Sequence, residues 1–150
     1  IPTFTEFANS SLQDIYGDKI NTSYMREVTD LKSYILINNG DSSFKKIKLP
    51  DLAQTIPILS SDVFDYNKDG YEDIIISGNI YNTEVETPRL DNPFALVLLS
   101  NNKDGYYCLS PNATGLYTLG NTKSVRVLND PKVLIIGNNS ESIESFLINN

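Results

Sequence analysis

The strongest chemical signal in the chain is the run Asp65-Tyr66-Asn67-Lys68-Asp69-Gly70-Tyr71-Glu72-Asp73. Oxygen-bearing side chains stand at its positions 1, 3, 5 and 9, and glycine stands at position 6. In a tight loop this alternation turns every second side chain toward one centre, and the glycine supplies the positive-φ bend that a Cβ resists. Such a centre suits a hard divalent cation, and Ca2+ takes roughly six to eight oxygen ligands. On this reading Asp65, Asn67, Asp69 and Asp73 give side-chain oxygens, Tyr71 gives its backbone carbonyl, and water completes the shell. The competing reading is an acidic turn without an ion. It leaves three carboxylates repelling one another on one small loop. Mg2+ suits the run less well, since it demands stricter octahedral geometry and keeps more of its water. Helix-flanked calcium loops need an acidic ligand at position 12, which here is Ile76. The flanks Val63-Phe64 and Ile74-Ile-Ile76 read as strands, so a strand–loop–strand turn is expected.

Other chemistries are thinly represented. The chain has no histidine, which removes His-based triads, the usual zinc sites and imidazole proton shuttles. Its one cysteine, Cys108, has no partner within the chain for a disulfide and reads as a small core residue on a strand. The polar stretch 81–92 gathers Tyr81, Glu84, Glu86, Arg89 and Asp91, groups able to contact a ligand. Glu84 and Glu86 could be read as a carboxylate pair for glycosidic hydrolysis. They sit two apart on one loop with no sign of burial, and a structural loop with an Arg89–carboxylate pair is the simpler expectation. The net charge of −7 argues against nucleic acid, and Lys45, Lys46 and Lys48 read as a solvated strand face. No apolar run approaches the ~20 residues that span a bilayer as a helix, so no membrane span is expected.

The elements that must position these residues follow from periodicity. Residues 3–16 place Phe4, Phe7, Ala8, Leu12, Ile15 and Tyr16 on one helical face, with Thr3 and Glu6 at capping-box spacing and Gly17 as the stop. A weaker helical turn is expected from Asp18 to about Arg26. Residues 1–27 thus read as a helical connector packing against sheets, with a partner-binding helix as the alternative. From Val28 the chain alternates short β-rich runs with Asn, Gly, Asp and Ser clusters. Expected strands lie at 34–37, 44–49, 58–64, 74–76, 95–99, 106–109, 124–128, 133–136 and 143–148.

Two internal echoes organise residues 28–150. Leu36-Ile-Asn-Asn39, followed by Phe44, resembles Leu98-Leu-Ser-Asn101, followed by Tyr106; Asp73-Ile-Ile-Ile-Ser-Gly-Asn79 resembles Lys132-Val-Leu-Ile-Ile-Gly-Asn138. In both cases the second copy follows about 60 residues after the first. Each unit reads strand, turn, strand, Gly-Asn, hairpin, which is a four-stranded antiparallel propeller blade lengthened by the 80–92 insertion. The expected fold is mainly β, with two to three such blades and a short N-terminal helical segment. Closed propellers use about four to eight blades, so the expectation is a partial propeller. Either further blades belong to a longer chain, or several copies complete the ring. The start at Ile1 is read as a processed or truncated chain.

At Asp65–Asp73 the sequence resembles the FG-GAP/VCBS repeat family of β-propellers, whose blades carry a D-x-[DN]-x-D-G-x-x-D loop between their first two strands. Ile37-Asn-Asn-Gly-Asp-Ser-Ser-Phe44 is similar to the family's NNGDGxF turn, with Ser42 where glycine is common. Gly78–Tyr81 through Glu84–Asp91 is similar to the last repeats of large bacterial proteins related to the ASPIC/UnbV and cartilage-acidic-protein group. The resemblance covers about residues 30–148. It implies a secreted or bacterial cell-surface, calcium-stabilised module without catalysis, contacting protein or glycan. Its alternatives are a structural segment of a larger secreted assembly or filament, or an accessory propeller of a polysaccharide-active enzyme. The stretch Leu128–Lys132 departs from the family's ion loop and is too short for the same ligands, so one calcium site is expected rather than two.

Overall fold

The computed structural model describes residues 3–101, 105–129 and 132–149. The chain divides into two compact units, Ile1–Leu31 and Lys32–Asn150. In the first, helix α1 (Phe4–Ala8) and helix α2 (Leu12–Tyr16) are followed by a 3-10 turn over Gly17–Thr22. The single helix expected over 3–16 is therefore broken at Asn9–Ser11. The Ser11 hydroxyl accepts from the Asp14 amide, and the Asp14 carboxylate accepts from the Ser11 amide. This local capping box starts a new helix and outcompetes continuation of the first. Gly17 ends α2 at φ +55°, as its type suggests. No residue of these helices is buried, and Phe4, Phe7, Leu12 and Tyr16 are exposed.

The second unit is built from three antiparallel sheets. Strands β1 (Tyr34–Asn38) and β2 (Phe44–Lys48) form a hairpin. Strands β3 (Ser60–Phe64), β4 (Asp73–Ser77), β5 (Leu96–Ser100) and β6 (Tyr106–Cys108) form a four-stranded sheet in sequence order. Strands β7 (Thr122–Asn129), β8 (Lys132–Asn138) and β9 (Glu144–Leu147) form the third. A 3-10 turn over Asp51–Thr55 and the short helix α3 (Pro111–Thr114) connect them. Among the described residues the fold is thus mainly β, and its three sheets do not close into a ring. Among the described residues no helix is long and apolar enough to cross a membrane.

The four-stranded sheet is covered on both faces, which explains the unbroken apolar runs at Ile74–Ile76 and Leu96–Leu99. On one face Phe64, Ile75, Val97 and Leu99 pack with Val125, Leu134 and Ile136 of the third sheet. On the other, Ile76, Leu96 and Leu98 pack with Leu49, Ala53 and Ile56. Side chains of β3 also reach the edge of β7: Ser60 Oγ accepts from the Val125 amide at 3.1 Å, and Asp62 Oδ2 accepts from the Val127 amide at 2.8 Å. Polar groups on one sheet's edge strand thus satisfy amides of the next, a device that protects two exposed edges at once.

The echoes seen in the sequence have structural counterparts. The β1–β2 turn is closed by the Asn39 amide donating to the Ser43 carbonyl at 3.1 Å, and the β5–β6 turn by the Asn101 amide donating to the Gly105 carbonyl at 3.0 Å. The two Gly-Asn pairs, Gly78-Asn79 and Gly137-Asn138, both stand at the C-terminal end of a second strand, β4 or β8. The β7–β8 connection differs from the β3–β4 loop: Asn129 pairs with Lys132, whereas Phe64 pairs with Asp73 across residues 65–72. Asp130 and Pro131, part of the expected short replacement, lie outside the described residues.

Candidate functional site

Residues 65–73 form the connection between two adjacent antiparallel strands, as their β-like flanks suggest. The loop's own amides orient its oxygens. The Asp69 amide is shared by Asp65 Oδ1 at 3.1 Å and Asn67 Oδ1 at 3.2 Å. The Gly70 amide donates to Asp65 Oδ2 at 3.0 Å, and the Tyr71 amide donates to Asp69 Oδ1 at 2.9 Å. The Asn67 carboxamide donates to Asp69 Oδ2 at 2.8 Å. This folding needs left-handed backbone at two places, Lys68 at φ +60° and Gly70 at φ +87°.

Asp73 behaves differently from the other carboxylates. It is fully buried, and its two oxygens accept from the Tyr66 amide at 2.9 Å and the Ser100 amide at 2.8 Å. It therefore ties the start of the loop to the end of β5. Lys132, which sequence reasoning did not single out, reaches across from β8. Its ammonium donates to the Asp65 carbonyl and lies 5.3 Å from the centre of the Phe64 ring. The only hint of this role in the sequence is a lysine at the start of a strand.

The donor set fits a hard cation at Asp65, Asn67 and Asp69. These are oxygen donors brought together by shared amides, and each carboxylate oxygen retains a lone pair beyond the one its amide uses. Asp73 fits only through the lone pairs left over from Tyr66 and Ser100. Among the described residues no three His, Cys, Asp or Glu side chains are gathered as a ready metal-holding group. Any ion here would be served by a mixed set including Asn67, backbone carbonyl and water.

The second candidate region is the insertion after β4. Its two arms are joined by a bridge between Ile80 and Leu90. Within it, the Tyr81 hydroxyl donates to Asp91 Oδ1 at 2.8 Å, and Arg89 Nη2 lies 2.7 Å from Asp91 Oδ2. The Arg89 guanidinium also sits 4.5 Å from the centre of the Tyr81 ring. Burial, aided by Asp91 as hydrogen-bond acceptor, holds the Tyr81 hydroxyl above the usual phenol range. Tyr81, Arg89 and Asp91 are thus brought together, while Glu84 and Glu86 stay exposed and outside this trio. The carboxylate paired with Arg89 is that of Asp91.

The C-terminal arm of the insertion and the segment Thr55–Pro57 border an open concavity of about 300 Å³. Asn92 stands in its wall and is pinned on the inner side. Its amide donates to Asn79 Oδ1 at 2.6 Å, and its carbonyl accepts from Asn79 Nδ2 at 3.0 Å. Asn79 Nδ2 also donates to the Gly120 carbonyl at 2.7 Å. Four buried side-chain atoms, Ser77 Oγ, Asn92 Oδ1, Thr118 Oγ1 and Asn121 Oδ1, make no hydrogen bond among the described residues.

Compared with protein-family models, with curated proteins and with solved structures, the chain shows no match.

Proposed function

We propose that this chain is a non-catalytic, calcium-stabilised β module of partial-propeller type that makes contacts with protein or glycan at a bacterial or other cell surface. The carrying observation is the loop 65–73. It joins neighbouring strands of one sheet, and its amides draw the oxygens of Asp65, Asn67 and Asp69 together. A cation bound there offsets the repulsion between Asp65 and Asp69 and fixes the β3–β4 turn. It has no reaction to perform, because its shell is filled by protein oxygen and water. The affinities of extracellular calcium modules, about 10⁻⁴–10⁻³ M, suit a secreted setting.

The blade reading draws support from strand order. β3–β6 is one complete four-stranded meander. By the hairpin and Gly-Asn correspondences, β1–β2 matches its last two strands and β7–β9 its first three. On this reading the likeness to FG-GAP/VCBS repeats is one of blade type, and other blades or other copies are the natural partners of the open sheets.

Calcium titration followed by calorimetry and by melting temperature tests the proposal. Added Ca2+ should bind once per chain and raise the melting temperature, and Asp69→Ala should abolish both responses. Unchanged calcium uptake in Asp69→Ala would refute the ligand assignment.

A further inference from the structure

We propose that the concavity between Thr55–Pro57 and Arg89–Phe94 is a subsite for one neutral pyranose residue of a glycan. The inference rests on the contact reading above and gives it a chemistry. At about 300 Å³ the concavity lies at the small end of ligand pockets, which suits a single ring rather than a peptide segment.

Its lining combines what a sugar hydroxyl ring needs. Asn92 is only 4% exposed, and its carboxamide donates to the Phe94 carbonyl and so steadies the rim. Arg89 offers N–H donors beyond the one facing Asp91, and the Asp91 carboxylate offers further lone pairs to hydroxyl donors. Pro93 and Phe94 give the same wall apolar surface for the C–H face of a ring. The Arg89–Asp91 pairing leaves this rim close to electroneutral, and the chain as a whole carries −7. Both features favour an uncharged sugar over an acidic one.

The wall is also held in place before any ligand arrives. The Ile80–Leu90 bridge fixes the insertion at its base, and the Asn79–Asn92 bonds fix its return. Tyr81 and Asp91 keep the Arg89 guanidinium from sweeping freely through solvent. Preorganisation of this kind lowers the entropy lost on binding.

The test is an NMR titration of the isotope-labelled chain with methyl glycosides of glucose, galactose and mannose, with Ca2+ titrated into the same sample. At least one glycoside should shift the amides of Thr55, Asn92 and Phe94 saturably. Arg89→Ala and Asp91→Asn should each weaken that binding about tenfold, the effect of losing a charge-assisted hydrogen bond. Glu86→Ala, on the same insertion but outside the concavity, should leave it unchanged. Absence of any saturable shift, or binding indifferent to both Arg89→Ala and Asp91→Asn, overturns the subsite. Calcium uptake at residues 65–73 with no response to sugar removes this inference and leaves the calcium module standing. Sugar binding without calcium uptake does the reverse.

Discussion

The carboxylate of Asp73, the first residue of β4, accepts the backbone amide of Ser100 at the end of β5, at 2.8 Å. Its other oxygen accepts the Tyr66 amide at 2.9 Å. One side chain thereby joins a candidate ion loop to a strand that is not adjacent to it in sequence. Asp73→Ala should remove the acceptor of two amides, at about 1–3 kcal/mol each, and lower stability by about 2–6 kcal/mol even in chelator. Asp73→Asn keeps one acceptor oxygen and should lose about half as much. Urea unfolding with and without Ca2+ measures both. A neutral Asp73→Ala in chelator would remove the structural role.

Gly70 makes the complementary prediction, because its cost is conformational. A Cβ at this position meets no neighbouring atom within 4 Å, but the backbone stands at φ +87°. Gly70→Ala should destabilise by roughly 1–2 kcal/mol through strain alone and weaken calcium uptake by distorting the loop. Gly70→Asn, which tolerates left-handed backbone better, should recover part of both. Thermal melts at fixed Ca2+ compare the three chains.

At Gly78 the argument is steric. A Cβ there would fall 2.2 Å from the Pro57 carbonyl oxygen and 2.7 Å from the Leu59 amide nitrogen, both backbone atoms that cannot rotate away. Gly78→Ala should therefore force the chain before β3 off β4, at a cost of about 2–3 kcal/mol or more. Gly137, in the matching Gly-Asn pair, would instead meet the Ser124 hydroxyl at 2.3 Å, a group that can change rotamer. Gly137→Ala should cost distinctly less, and denaturation midpoints of the two variants decide the order.

Features written in local pattern were legible in the sequence. The loop 65–73 lies between strands because Val63-Phe64 and Ile74–Ile76 carry β-forming residues on either side of a glycine turn, and both hairpins with Asn-rich turns fall where expected. The break in the N-terminal helical segment is written in Ser11 and Asp14, whose capping-box spacing marks a second helix start within a continuous 3.6-residue apolar spacing. Helix α3 also had a signal, Ser110 before Pro111, in the N-cap and N1 positions. The partnerships of Asp73 with Ser100, Lys132 with the Asp65 carbonyl, and Asn79 with Asn92 were not legible. They depend on which strand ends meet in three dimensions, and no residue type or spacing encodes that.

Cys108 gives a prediction in pH. It pairs with Leu98 across β5–β6 and packs beside the cluster of Leu49, Ala53 and Ile56. Burial pushes its thiol upward, with a backbone hydrogen bond from Ala53 offsetting part of the effect. A thiol whose folded pKa exceeds its unfolded value contributes stability that is complete below the unfolded pKa, about 8.5, and is lost as pH rises through the folded one. The Tyr81 and Tyr106 hydroxyls are also raised by burial and act in the same direction. The cysteine's share must therefore be read as a difference. Between pH 8 and 10 the wild-type midpoint should fall more steeply than that of Cys108→Ala, although Cys108→Ala starts lower for lack of the sulfur's packing. Alkylation by iodoacetamide at pH 8 should be slower in the folded chain than in urea, since the half-buried thiol is less ionised and less accessible. Parallel midpoint curves together with equal alkylation rates would show that Cys108 is neither shielded nor shifted.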